Sequence, residues 1–204
     1  MFDCDGLIVD SAACWERAYE RIAQRSDRDL AAVDLDSLAG ASVAIAAGSL
    51  SRSLGVAVTE SDLRRALFDS FAAFSPVALP GATAIIDSLS ACMPLAVASN
   101  APREIVVDIL GRLGVLDAFQ TVVSAEETTA HKPAPDVYVE ACRQLAVSPL
   151  DAIAFEDSAL GARAARAAGL LVIAVPATPQ TRIEADLRIP RLDDPRLVRY
   201  LDLD

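Results

Sequence analysis

The chain has 204 residues, 53% of them hydrophobic, and a formal net charge of −11. That length fits one core with room for a smaller insertion, and the apolar share excludes a disordered chain. The acidic balance argues against nucleic acid or an anionic membrane as a partner. No run approaches the roughly 20 apolar residues of a membrane span, and the start carries acids where a leader would carry a basic and then an apolar stretch, so a cytoplasmic protein is expected. Cys4, Cys14, Cys92 and Cys142 are scattered without C-x-x-C spacing. They read as free thiols in a reducing compartment, and zinc is disfavoured.

The chain opens on Asp3-Cys4-Asp5-Gly6. On a strand, residues i and i+2 share a side, so Asp3 and Asp5 are expected to project together and Cys4 to the opposite face. Gly6 can end the strand sharply. Alone, this motif fits a solvated Asp-rich turn as well as it fits a site. From residue 11 to about 76 the apolar periodicity is helical. It predicts helices over 12–23, with Trp15, Ala18, Tyr19 and Ile22 in phase, over 30–38, and over 43–54, closed by Gly55. Another starts at Thr59-Glu60-Ser61-Asp62 and runs through 63–74. Ser75-Pro76 and Pro80-Gly81 mark the return from this helical insertion.

Beyond Pro80 the pattern alternates. Helices are predicted over 81–91, 103–113, 135–145 and 158–168, and strands over 95–99, 121–124, 153–155 and 170–175. The tail, 189–203, reads as a short strand and helix. Such alternation implies right-handed crossovers and a parallel sheet covered on both faces. The fold expected is α/β, a Rossmann-like sheet with an inserted helical unit.

In an open parallel sheet, ligands bind at the carboxyl ends of the strands. Each of those ends is polar here. The first offers Asp3 and Asp5, the next Ser99-Asn100, the third the loop His131-Lys132-Pro133-Ala134-Pro135-Asp136, and the fourth Glu156-Asp157-Ser158. Lys132 is the sole lysine among 18 basic residues, the others being arginines. A compact ammonium kept beside prolines suggests a site that a planar guanidinium would not suit. Ser99 and Asn100 supply a hydroxyl, an amide and backbone N–H groups before a helix, which is an anion site or a plain cap. Four carboxylates facing one lysine call for a hard divalent cation, and oxygen ligands with open positions favour Mg²⁺.

Taken together, Asp3-x-Asp5-Gly6 with Asp10-Ser11, Ser99-Asn100, Lys132-Pro-x-Pro-Asp136 and Glu156-Asp157-Ser158-x-x-Gly161 closely resemble the haloacid dehalogenase-like hydrolases. The resemblance is to the branch with a helical cap after the first strand, which holds sugar-phosphate phosphatases and β-phosphoglucomutases. It implies a core from 1–11 and 79–204 and a cap from 12–78. It implies Asp3 as nucleophile forming an aspartyl-phosphate, and Asp5 as the acid that protonates the leaving oxygen and then activates water. Ser99 and Asn100 would hold the phosphoryl group, and Lys132 would neutralise it and Asp3. Mg²⁺ would sit on Asp3, the Asp5 carbonyl, Glu156 and Asp157. The substrate would be a small phosphorylated metabolite. Trp15, Ser42 and Val43 are candidates for cap residues facing it.

Some positions depart from the family. Dehalogenases lack the second Asp, so Asp5 argues for phosphate chemistry. Phosphonate-cleaving relatives use a cap lysine, and this cap has none. Mutases carry a His twelve residues beyond the nucleophile and an Arg after the cap's Gly-x-Ser, where this chain has Trp15 and Val43. A mutase is therefore the second expectation and a non-catalytic phosphate-binding protein the third. His131 stands in place of a glycine and is read as a loop position. Only Met1 and Phe2 precede Asp3, so the first strand, from Met1 to about Cys4, is expected either to be short or to lack residues that precede this sequence.

Overall fold

Side-chain alternation along short strands divides the interior into two apolar layers. The computed structural model describes residues 1–178 and 180–201. Its strands are β1 (Ala96–Ser99), β2 (Thr121–Ser124), β3 (Ile153–Glu156), β4 (Leu171–Ala174) and β5 (Leu187–Arg188). Val97, Val122, Phe155 and Ile173 enter one layer, and Ala96, Ala98, Val123, Ala154, Val172 and Ala174 enter the other. This is the period of two that a sheet covered on both faces requires.

β1 pairs with β2, β3 with β4 and β4 with β5, all in parallel. The first three residues join these two groups. Phe2 bridges Val97 on one side and Phe155 on the other, again in parallel. Its N–H donates to the Ala96 carbonyl at 2.9 Å, and its carbonyl accepts from Ala98 N–H at 2.9 Å. On the far side Asp3 N–H donates to the Phe155 carbonyl at 3.1 Å. The order is β2-β1-(1–3)-β3-β4-β5. From the central segment the chain steps outward to β2 and then crosses back to β3, so the order reverses between residues 1–3 and β3. Residues 1–3 take the central place in the sheet through isolated bridges at Phe2 and leave it at Asp3. Phe2 anchors them: its ring stacks on Phe155 at 4.5 Å and meets Phe119 edge-on at 5.9 Å.

Residues 4–9 turn back on themselves, with Ile8 N–H on the Cys4 carbonyl at 2.9 Å and Gly6 at φ +78°. α1 (Ala12–Arg25), α2 (Val43–Leu54) and α3 (Glu60–Ala72) then form the inserted unit. Local chemistry sets their limits. Ser42 Oγ accepts from Ile45 N–H, Gly55 closes α2 in the left-handed conformation, and Thr59 with Asp62 forms a capping box. The expected helix over 30–38 is not formed. Two short 3₁₀ turns, Leu30–Ala32 and Asp36–Leu38, stand there instead. Asp29 Oδ1 accepts from Ala31 N–H and Asp34 Oδ1 from Ser37 N–H, while the Ser37 hydroxyl donates to the Asp34 backbone carbonyl. These side chains compete with helical backbone bonding and break the run.

The two connections of the insertion pair with each other: Val9 lies antiparallel to Ala78, and Leu79 N–H donates to the Ile8 carbonyl at 2.8 Å. α4 (Ala82–Ser90) and α5 (Arg103–Leu113) cover one face of the sheet, and α6 (Asp136–Leu145) and α7 (Ala159–Ala168) cover the other. α8 (Pro195–Leu201) closes the described chain. The tail strand falls at Leu187–Arg188, just ahead of the expected 189–203; the end of that expected stretch, 202–203, lies outside the described residues. All four cysteines are free, and among the described residues no helix is long and apolar enough to cross a membrane.

Because Phe2 bridges both halves of the sheet and its ring is fully buried between Phe119 and Phe155, Phe2→Ala is expected to cost about 3–5 kcal/mol. Urea unfolding checks this against the exposed Leu150→Ala, expected within about 0.5 kcal/mol of wild type.

Candidate active site

The carboxyl ends of the central segment and β3 meet where the strand order reverses, the position at which parallel sheets bind ligands. Lys132 is buried there, at 2% exposure. Its Nζ donates to Asp3 Oδ1 at 2.7 Å and to Glu156 Oε1 at 2.6 Å. The Tyr138 hydroxyl donates to the same Glu156 oxygen, and the Tyr138 ring lies 5.0 Å from Nζ. Ser158 Oγ donates to Glu156 Oε2 at 3.3 Å while accepting from Gly161 N–H at 3.0 Å, so one hydroxyl caps α7 and steadies the carboxylate.

Asp3, Glu156 and Asp157 each present a carboxylate oxygen within 4.8 Å of the others. Two glycines make this convergence possible. A Cβ at Gly161 would fall 1.9 Å from Glu156 Oε1, and one at Gly6 would fall 2.0 Å from Asp157 Oδ2. The motif glycines therefore clear the space in which the acids gather.

Burial pushes the Asp3 carboxyl up to about 7, with Lys132 pulling it down and Glu156 pushing it up. Burial, then Asp3 and Glu156, push Asp157 well above the usual carboxylate range. Burial alone would weaken the proton affinity of Lys132, but Asp3 and Glu156 outweigh it and the net shift is upward. The acids thus outnumber the one cation, and a small divalent ion among these hard oxygen donors would balance them. The donor set and the glycine-cleared cradle fit such an ion.

The other expected residues take distinct places. Asp5 stands apart from the three-acid cluster; its Oδ1 accepts from the Ser11 hydroxyl, and burial raises its pKa while Ser11 and Trp15 offset part of that. Ser99 is buried at the end of β1, its Oγ accepting from Ala101 N–H at 3.1 Å. The Asn100 side chain turns to Lys132, Oδ1 accepting from its N–H at 3.0 Å and Nδ2 reaching its carbonyl at 3.4 Å. It also donates to the Gly40 carbonyl of the inserted unit at 2.7 Å. Trp15 packs beside Tyr19 and Phe71. Ser42 and Val43 are buried at the start of α2. His131 Nδ1 is, among the described residues, the one buried side-chain nitrogen or oxygen without a hydrogen-bond partner.

Residues 1–175 match the family profile described as haloacid dehalogenase-like hydrolase. The chain belongs to this family. It is 30% identical to validoxylamine A 7′-phosphate phosphatase of Streptomyces hygroscopicus subsp. limoneus, covering 96% of this chain and 94% of that protein. It is 39% identical to the bifunctional riboflavin kinase/FMN phosphatase of Arabidopsis thaliana over 60% of this chain, which spans only 34% of that longer protein. The β-phosphoglucomutase of Clostridium difficile shares the fold, with a TM-score of 0.83 at 21% identity, over 99% of this chain and 94% of the other.

Two participants escaped the sequence reading. Tyr138 sits on the buried face of α6, where a phenol needs a partner for its hydroxyl; that need was visible, but its partner was not. Gly40 lies in the loop before α2, and nothing in the local pattern points it at the sheet.

Removing one member of a buried ion pair strands its partners, so Lys132→Met is expected to cost about 3–5 kcal/mol. Adding Glu156→Gln should recover part of that loss in chemical denaturation, because one stranded carboxylate is then gone.

Proposed function

We propose that this family member is a Mg²⁺-dependent phosphatase that hydrolyses a small phosphorylated metabolite, a sugar phosphate being the leading class. The observation that carries the reading is the buried Lys132 ammonium, 2.7 Å from Asp3 and 2.6 Å from Glu156 at the reversal of the sheet. Such a pocket suits a phosphoryl group, whose transfer requires mainly positioning and charge stabilisation. The Streptomyces relative, whose name specifies a phosphate ester, supports the same reaction class.

In this reading Asp3 attacks phosphorus through a carboxylate oxygen. The bond to the leaving oxygen breaks, and Asp5 gives that oxygen its proton. Asp5 then takes a proton from water, which attacks the aspartyl-phosphate and releases inorganic phosphate, regenerating Asp3. Lys132 neutralises charge on Asp3 and on the phosphoryl oxygens. Ser99 hydroxyl and the backbone of the Ser99–Asn100 turn hold those oxygens. Asp3, Glu156, Asp157 and the Asp5 carbonyl would hold Mg²⁺, which when bound screens the phosphoryl oxygens and draws the acids together. The helices within 12–78 serve as a cap that excludes bulk water and selects the substrate.

A mutase is the weaker reading. The two positions that would supply its additional polar groups hold Trp15, packed against Phe71, and Val43, buried at 6% exposure.

Asp3→Asn is expected to lower turnover of a generic phosphate ester by about 10⁴-fold or more. Released phosphate is the readout, and normal turnover in this variant would reject the mechanism. Product analysis on a hexose phosphate separates free phosphate from an isomerised sugar phosphate. Mg²⁺ at a hundredfold excess over its Kd should add about 2–3 kcal/mol to the stability of the wild type. Thermal scans should show no such gain in Asp157→Asn.

A further inference from the structure

Asn100 was expected to offer its amide to the phosphoryl group, yet that amide is already engaged. Asn100 is buried, at 6% exposure. Its oxygen accepts from Lys132 N–H at 3.0 Å, and its nitrogen donates to the Gly40 carbonyl at 2.7 Å and toward the Lys132 carbonyl at 3.4 Å. One carboxamide therefore bridges the main chain of the core lysine and the main chain of the cap.

Gly40 is built for this approach. It holds φ +74°, and a Cβ there would lie 3.1 Å from Ser158 Oγ and 3.3 Å from Ser158 Cβ. The cap loop thus rests on two core loops at once, the one carrying Asn100 and the one carrying Glu156 and Asp157. Other ties between cap and core lie at the rim. Arg64 of α3 donates to Glu104 at 2.7 and 2.8 Å and also pairs with Glu126, all three partly exposed. Exposed pairs of this kind contribute little, whereas the part-buried Gly40–Asn100 bond engages the same side chain that holds the Lys132 main chain.

We propose that Asn100 is a positioning residue that couples docking of the cap at Gly40 to the placement of Lys132. This rests on the reading of Lys132 as the group that neutralises the phosphoryl oxygens. With the cap lifted, the carboxamide loses one of its three anchors and the Lys132 backbone its fixed support. With the cap down, the ammonium is held where transfer requires it. The substrate that draws the cap closed thereby completes the charge arrangement it needs.

The test uses Asn100→Ala, Asn100→Asp, Gly40→Ala and the double variant Asn100→Ala/Gly40→Ala, with p-nitrophenyl phosphate and Mg²⁺. Asn100→Ala should lower kcat about 10–100-fold, the scale set by small misplacements of catalytic groups, while KM and inhibition by inorganic phosphate stay within about twofold of wild type, below the change expected on losing a charge-assisted phosphate contact. The double variant should be no slower than the slower single variant, since both remove one coupling. Hydrogen exchange of amides 39–42 should quicken equally in Asn100→Ala and Gly40→Ala. Asn100→Asp retains the acceptor for Lys132 N–H and loses the donor to Gly40. It should quicken exchange in the cap loop without quickening it at Lys132, so it serves if Asn100→Ala unfolds. A rise in KM with unchanged kcat would make Asn100 a substrate-binding residue, and multiplicative losses in the double variant or unchanged exchange at 39–42 would likewise overturn the proposal. If the wild type hydrolyses no phosphate ester, the functional reading fails and the exchange measurements still decide the coupling.

Discussion

A single ammonium buried among carboxylates is the constraint on which this structure depends. Taking Lys132 out of water costs several kcal/mol unless charged partners meet it with good geometry. Asp3 and Glu156 do so from two different strands, and Tyr138 holds Glu156 from a helix on the sheet's far face. The arrangement demands empty space as well as charge, and Gly6 and Gly161 provide it. The same set of residues then carries an excess of negative charge that a divalent ion would relieve.

The sheet solves the placement with very little regular structure. Its central member is only residues 1–3, with Phe2 making the pairings on both sides. The flanking strands hold the Phe2 backbone, and the Phe119 and Phe155 rings hold its side chain in one apolar layer. Asp3 therefore leaves the sheet at a defined height, next to Glu156 at the end of β3. The connections at Val9 and Ala78 pair with each other, so the inserted helices depart from and return to one place beside the site.

Inside the inserted unit, Trp15, Ser42 and Val43 are held by local structure. Ser42 caps α2 and Val43 is part of the apolar interior, so the loop just before them, at Gly40, becomes the part that meets the core. Trp15 lies near Asp5 but is packed with Tyr19 and Phe71. In the proposed reading the chemistry falls to the sheet loops and the choice of substrate to the inserted helices.

The sequence alone marked most of the sheet elements, the helix limits set by caps and glycines, and the segments of Asp3, Lys132 and Glu156-Asp157 whose side chains meet. Alternation and capping are local physics, and Asp3, Ser99, Lys132 and Glu156-Asp157 each follow an apolar run that marks a strand or its loop. The family resemblance of those motifs carried the assignment further than periodicity could. Local pattern misjudged 30–38, where side-chain oxygens of Asp29 and Asp34 capture the backbone bonds a helix would use. Only the tertiary structure decided that Asn100 turns toward Lys132 and Gly40, that Tyr138 shares Glu156, and that Gly6 and Gly161 vacate the acids' space. Apart from Gly161, five residues from Glu156, those pairings join residues from 18 to 151 positions apart in the chain, and a contact across such a separation leaves no trace in the periodicity of either segment.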